Sequence, residues 1–161
     1  MHPLDILRDD HREIKGRIAA FEVRLDAAVR RSLPGTVVAS FAADLAFLRG
    51  DLLRHFGRED RALLPALERK LGRYGDSMVD LLAQEHAELR RAVGKFSEAV
   101  AVTEGAEDGG GLEEVNRHGL FLVQVLQDHV RKEELAFFPR ALEVLTAEDW
   151  EAVALVLAAE R

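Results

Sequence analysis

The chain has 161 residues, 48% of them hydrophobic, a formal charge of −7 and no cysteine. Its length suits one domain around one core, its acidic balance argues against nucleic acid because Arg30-Arg31 and Arg90-Arg91 are too short for a phosphate-binding patch, and missing thiols exclude disulfides and iron–sulfur ligation. No run of about 18 apolar residues could span a membrane, and the start Met1-His2-Pro3-Leu4-Asp5 lacks a signal-peptide pattern, so a cytoplasmic location is expected.

Taken in order, the predicted elements are all helical. Leu4, Leu7, His11, Ile14, Ile18, Phe21 and Leu25 recur at steps of three and four, one inward stripe with His11 on it. A second helix is expected from about Thr36 to Leu71, with Phe41, Leu45, Leu48, Leu52, His55 and Glu59 on one face. A third, from about Asp76 to Val102, carries Leu82, His86, Leu89, Val93 and Phe96. A fourth, from about Leu112 to Leu145, carries Leu122, Val125, His129 and Glu133. A short fifth begins at Thr146 and ends at Leu157 or later. Thr146 and Asp149 resemble a capping box there, and Leu145 with Trp150 a hydrophobic staple.

Within these helices one pattern occurs twice. His11, His55 and Glu59 are followed, at offsets of 75, 74 and 74 residues, by His86, His129 and Glu133. The breaker runs explain why this matters. The midpoint of His11 and His55 is Leu33, beside Pro34-Gly35; that of Glu59 and His86 falls inside Gly72-Arg73-Tyr74-Gly75; that of His86 and His129 falls inside the run 104–111. Pro and Gly punctuate helices. If each breaker joins antiparallel helices, all six residues meet at one level of a bundle.

The repeat extends further. Glu13 matches Glu88, Phe21 matches Phe96, and Leu63-Leu64-Pro65 matches Phe137-Phe138-Pro139. Each proline lies six residues past its glutamate and is expected to bend its helix. The expected architecture is all-α: an antiparallel up-down four-helix bundle of about 3–145 with pseudo-twofold symmetry, plus a C-terminal helix of about 146–158 packed outside it, the whole of 1–161 being one domain.

His and Glu at i and i+4 share a helix face, so His55 with Glu59, and His129 with Glu133, can aim at one centre. Imidazole plus carboxylate suits first-row metals, and two copies suit a two-metal site in a bundle. Four neutral imidazoles and two carboxylates sum to −2 against +4 for two divalent metals. A buried excess of +2 is costly unless anions join, so the glutamates are expected as bridges, with a hydroxide or oxide as a third. Such metals keep room for dioxygen, peroxide or nitric oxide.

The pattern resembles the hemerythrin family, in the form of the HHE cation-binding domain, over residues 4 to about 140. The resemblance implies two non-haem iron ions with an oxo or hydroxo bridge, His11, His55, His86 and His129 as terminal ligands, and Glu59 and Glu133 as bridges. Oxygen-carrying hemerythrins have a further histidine four residues after the one matched by His86. Arg90 stands there instead, which points away from simple oxygen carriage and toward sensing, stress response or iron handling. Family members that repair iron–sulfur clusters usually carry a cysteine-bearing N-terminal extension; this chain's lack of cysteine and its early first helix speak against that role.

Other residues get plainer readings. His2 reads as a frayed terminal residue. His118 lies three turns before His129, roughly 16 Å away by helix rise, and reads as a half-buried polar residue near the bundle end; the sharper alternative pairs it with its symmetry mate Asp44. Phe21, Phe56, Phe96 and Phe121 read as packing around the site. Glu13, Glu85 and Glu88 read as solvated, or as partners of a ligand histidine. Arg90 reads as surface charge, or as a partner of a bridging carboxylate if it points inward. The favoured function is a di-iron module that binds oxygen, NO or a related ligand; a redox enzyme (peroxidase, NO reductase or ferroxidase) is the alternative.

Overall fold

The computed structural model describes residues 1–31, 39–72, 77–104, 106 and 111–159. All regular structure among them is helical. Helix α1 is Pro3–Arg31. Helix α2 runs through 42–71 in five segments: Ala42–Phe47, Leu48–Leu52, Leu53–Arg58, Glu59–Leu63 and Leu64–Leu71. Helix α3 is Ser77–Glu104. Helix α4 runs through 112–144 as Leu112–Lys132, Glu133–Phe137 and Phe138–Val144. Helix α5 is Ala147–Ala158. The expected starts at Thr36 and Asp76, and most of the breaker residues, lie outside the described residues.

The helices alternate in direction, as their contacts show. Between α1 and α2, Arg24 meets Asp44 while Asp10 meets Arg58. Between α2 and α3, Arg49 meets Ser97 while Asp60 meets His86. Between α1 and α4, Lys15 meets Glu134, and Gly119 is so close to Leu25 that a Cβ there would collide with it. In each pair one number rises as the other falls, so the bundle is antiparallel.

The first-helix stripe is buried from Leu4 to Leu25, as the period of 3.6 requires. Two glycines mark helix ends by left-handed backbone. Gly72 closes α2 at φ 72° and Gly111 opens α4 at φ 102°, a region costly for residues with a Cβ.

A local change of helix type precedes each proline. The segments Glu59–Leu63 and Glu133–Phe137 are π turns, each starting on a motif glutamate. A proline lacks an N–H and its ring clashes with the carbonyl four residues back. That carbonyl, of Arg61 or Leu135, lies within the wider π turn, and α-helix resumes at Leu64 and Phe138 with the proline in its first turn, where no N–H is missed. The two π turns lie 74 residues apart, at matching places in the repeat. A third π turn, Leu48–Leu52, has no counterpart in α4, where Leu112–Lys132 is α-helical throughout.

The core is split into two apolar clusters. One contains Phe21, Phe41 and Phe96, packed edge to face at centroid distances of 5.0 to 5.8 Å. The other contains Leu4, Leu7, Leu63, Leu67, Phe138, Trp150 and Leu157. Fully burying each such side chain stabilises by about 1.5–3 kcal/mol. Between the clusters lie the six motif residues, all at most 1% exposed.

Helix α5 seals the lower cluster by packing on α1 and on the π turn Glu59–Leu63. Its capping box is formed: Asp149 N–H donates to Thr146 Oγ1 at 3.4 Å and Thr146 N–H donates to Asp149 Oδ2 at 2.8 Å. Leu145 and Trp150 are both buried in the lower cluster. His2 departs from the expectation of a frayed residue: its ring lies 4.5 Å from that of Trp150. Phe121 also departs from expectation, being 47% exposed rather than packed at the site. No described helix is long and apolar enough to cross a membrane.

Candidate metal centre

All six sequence-predicted residues meet at one level. Their donor atoms form two groups, His11, His55, Glu59, Glu133 and Glu59, His86, His129, Glu133, each within 4.8 Å mutual distance. Both glutamates belong to both groups. Each group thus takes its two histidines and one glutamate from one helical hairpin, and its other glutamate from the opposite hairpin.

Every Nε2 faces inward. His11 Nε2 lies 3.0 Å from Glu133 Oε2 and His55 Nε2 lies 3.4 Å from Glu59 Oε2. His86 Nε2 lies 3.3 Å from Glu59 Oε2 and 3.6 Å from Glu133 Oε1, and His129 Nε2 lies 3.2 Å from Glu133 Oε1. Despite these distances, both oxygens of Glu59 and Glu133, and Nε2 of His86 and His129, have no hydrogen-bond partner of acceptable geometry. Buried polar atoms without partners cost about 1–3 kcal/mol each, so so many in one spot need an explanation. Atoms converging on a cation supply it. The donor set of imidazole nitrogen and carboxylate oxygen, with no thiolate, fits a first-row metal ion.

Every Nδ1 faces outward onto a carboxylate. His11 meets Glu134 at 3.3 Å, His55 meets Asp10 at 3.2 Å, His86 meets Asp60 at 2.6 Å and His129 meets Glu85 at 2.9 Å. Each carboxylate meets a cation in turn: Glu134 with Lys15, Asp10 with Arg58, Asp60 with Arg90 and Glu85 with Lys132. An Nδ1–H held by a carboxylate leaves the Nε2 lone pair free for a metal and fixes the ring.

Charge follows this geometry. Burial alone pulls His86 down, but Asp60, Glu133 and Glu59 outweigh it and hold the imidazole up at about 11. Burial likewise opposes the charge on His129, and Glu133 and Glu85 raise it to about 9. Burial raises Glu133, yet His129, His11 and His86 hold it well below the ordinary carboxylate range. Burial also raises Asp60 and Asp10, and their histidine and arginine partners bring both below it. The carboxylates around His86 and His129 thus favour their charged form against burial.

Aromatic packing breaks the symmetry. Phe56 stacks on His86 at 4.8 Å and meets His129 edge-on at 5.6 Å. Phe138 stacks on His11 at 5.1 Å. The repeat would place Val130 and Leu64 at the mates of these two phenylalanines.

The outer shell was only partly foreseen. Glu85 takes the partner role; Glu13 and Glu88 are exposed, Glu13 facing Arg17 at 3.9 Å. Asp10, Asp60, Glu134, Lys15, Arg58 and Lys132 were missed. The signal was available in the same offset: Asp10 with Glu85, Asp60 with Glu134, Arg58 with Lys132 and Lys15 with Arg90 are separated by 74 or 75 residues. Arg90 pairs with Asp60 rather than with a bridging glutamate, and its guanidinium lies 5.8 Å over the Phe56 ring.

The Asp44–His118 pair is not formed. Buried Asp44 is held by Arg24, while half-buried His118 meets Glu114 at 3.3 Å and Arg117 at 3.2 Å.

The family model of the hemerythrin HHE cation-binding domain matches residues 2–141. The chain is also similar to the iron-sulfur cluster repair protein DnrN of Neisseria gonorrhoeae, with 28% identity over 109 residues, 67% of this chain and 69% of the relative.

Proposed function

We propose, for a chain that belongs to the hemerythrin HHE cation-binding family, that the buried cluster holds two iron ions and presents them to oxygen, nitric oxide or a related small ligand. The observation that carries this is the pair of four-residue groups sharing Glu59 and Glu133. Two groups with two common carboxylates describe two bridged metals better than one.

In this reading His11 and His55 would hold one ion, His86 and His129 the other, and Glu59 and Glu133 would be shared between them. When bound, iron supplies the redox change and the open coordination positions that a small ligand uses. The chain's own residues do the rest. Asp10, Asp60, Glu85 and Glu134 keep the imidazoles oriented and electron-rich. Phe56 and Phe138 cover imidazole faces and keep water from them. Two imidazoles per ion is a sparse protein ligand set, and it supports ligand binding over a closed structural site.

The relative's role in iron–sulfur cluster repair brings iron handling into the same reading. With no cysteine in the chain, iron would be held and released by histidine and carboxylate alone.

The test is iron content per chain after anaerobic reconstitution, with optical spectra before and after NO or azide. Two irons per chain and a ligand-sensitive near-ultraviolet band support the proposal. Less than one metal per chain, with unchanged thermal stability, sinks it.

A further inference from the structure

Between α1 and α4 lies a pocket of about 320 Å³. Its apolar lining is Ile14, Ile18, Leu126, Val130 and Leu135, and its polar rim is Lys15, Gln127, Arg131 and Glu134. None of these residues is in the proposed metal-ligand set, yet the pocket adjoins the metal level. Glu134 is the carboxylate on His11 Nδ1, Val130 follows His129 in α4, and Ile14 is the next inward residue after His11 in α1.

The charge at the rim is already spent. Lys15 is bonded to Glu134, and Arg131 meets Asp128 at 3.0 Å. An anionic ligand would have to break one of these pairs, whereas an uncharged one would not. The pocket is also too small to seat a helix of another protein, whose diameter is about 10–12 Å over many residues. Enclosed apolar cavities on the order of 150 Å³ take up benzene or xenon; this pocket opens to solvent on one side, and its floor of Ile14, Ile18, Leu126 and Val130 offers a small apolar molecule the same kind of contact.

We propose that this pocket is a holding site for small uncharged apolar molecules, dioxygen and NO among them, beside the metal centre. It rests on the di-iron reading for its purpose but not for its existence. A molecule parked there lies alongside Glu134, the outer partner of His11, so the pocket would keep ligand next to the centre.

The experiment has two arms. In the first, xenon is added to the full chain without metal, and shifts are followed at the methyl groups of Ile14, Ile18 and Leu126. The expected result is saturable shifts at those methyls, lost in the double variant Gln127→Trp/Leu135→Trp, which covers the mouth from its rim, and in Leu126→Phe, which fills the floor. In the second arm, NO association with the iron-loaded protein is timed. The mouth variant is expected to slow it by about tenfold or more with iron content and the final spectrum unchanged. No xenon-dependent shift at these methyls overturns the proposal. So does an unchanged NO rate in a variant that has lost xenon binding. A chain that takes up xenon but no iron would keep the pocket as an apolar-gas site and sink the di-iron reading instead.

Discussion

His86 Nδ1 and Asp60 Oδ1 lie 2.6 Å apart, the shortest of the four contacts between a motif histidine and its outer carboxylate. Asp60 is also bound by Arg90, so it faces two cationic groups at once. The carboxylate that follows Glu59 in sequence therefore orients a histidine of the opposite hairpin.

Asp60→Asn should keep the fold and weaken the grip on metal. Loss of such an outer partner typically costs 10–100-fold in metal affinity. Competition with a chelator, read as residual iron per chain, would show that drop. Affinity within twofold of the parent would mean that Asp60 does not orient His86.

Glu133→Ala removes a carboxylate shared by both groups. Iron stoichiometry should fall from two per chain to one or none, with loss of any bridged-pair spectrum. Glu59→Ala should behave alike. A full two-iron spectrum in either variant rules out its bridging role.

Loading should release protons. In the metal-free chain the imidazoles of His86 and His129 are raised to about 11 and about 9, so at pH 7 both carry protons that a metal must displace. Apparent affinity should climb as pH rises from 7 to 9, and a weakly buffered titration should acidify. The stability of the metal-free protein has the opposite trend. Raised folded values stabilise fully below the unfolded pKa of about 6.5, and that stabilisation is lost as pH climbs through 9 and on to 11. Chemical denaturation of the metal-free chain at pH 6, 8 and 10 reads it out; equal midpoints would contradict it.

Thr146→Ala removes the side-chain acceptor that starts α5 and should cost about 1 kcal/mol, seen as a lower denaturation midpoint. Because α5 packs on the π turn Glu59–Leu63, amide exchange should speed up in that turn as well as in α5. Faster exchange confined to α5 would mean that the helix is an ornament on the bundle.

The helices and the metal level were legible because both are written as spacing. Leu4 to Leu25 repeat at the helical period, and the paired His-x-x-x-Glu elements repeat at 74 residues. The outer shell was less legible because acidic and basic residues are common on helix surfaces, and Asp10 or Lys15 taken alone looks like solvated charge. Only the shared offset singles them out. The π turns were not legible at all, since the sequence reports a proline and not how the preceding turn adapts. Phe121 was misplaced because one apolar residue on a helix does not reveal its side; at 47% exposure it faces away from the core.

The exchange of glutamates between hairpins has a consequence for how the molecule is divided. It has the layout of a duplicated hairpin in which neither copy is self-sufficient. Each keeps one outer carboxylate, Asp10 on His55 or Glu85 on His129, and lends the other across, Glu134 to His11 or Asp60 to His86. Apolar clusters lie to either side of this layer, and the layer itself is where the halves trade ligands. Metal that binds this layer only in the folded chain would stabilise the association of the two halves by mass action. Iron would add a clasp between the two hairpins, on top of apolar clusters that already draw on all four helices of the bundle.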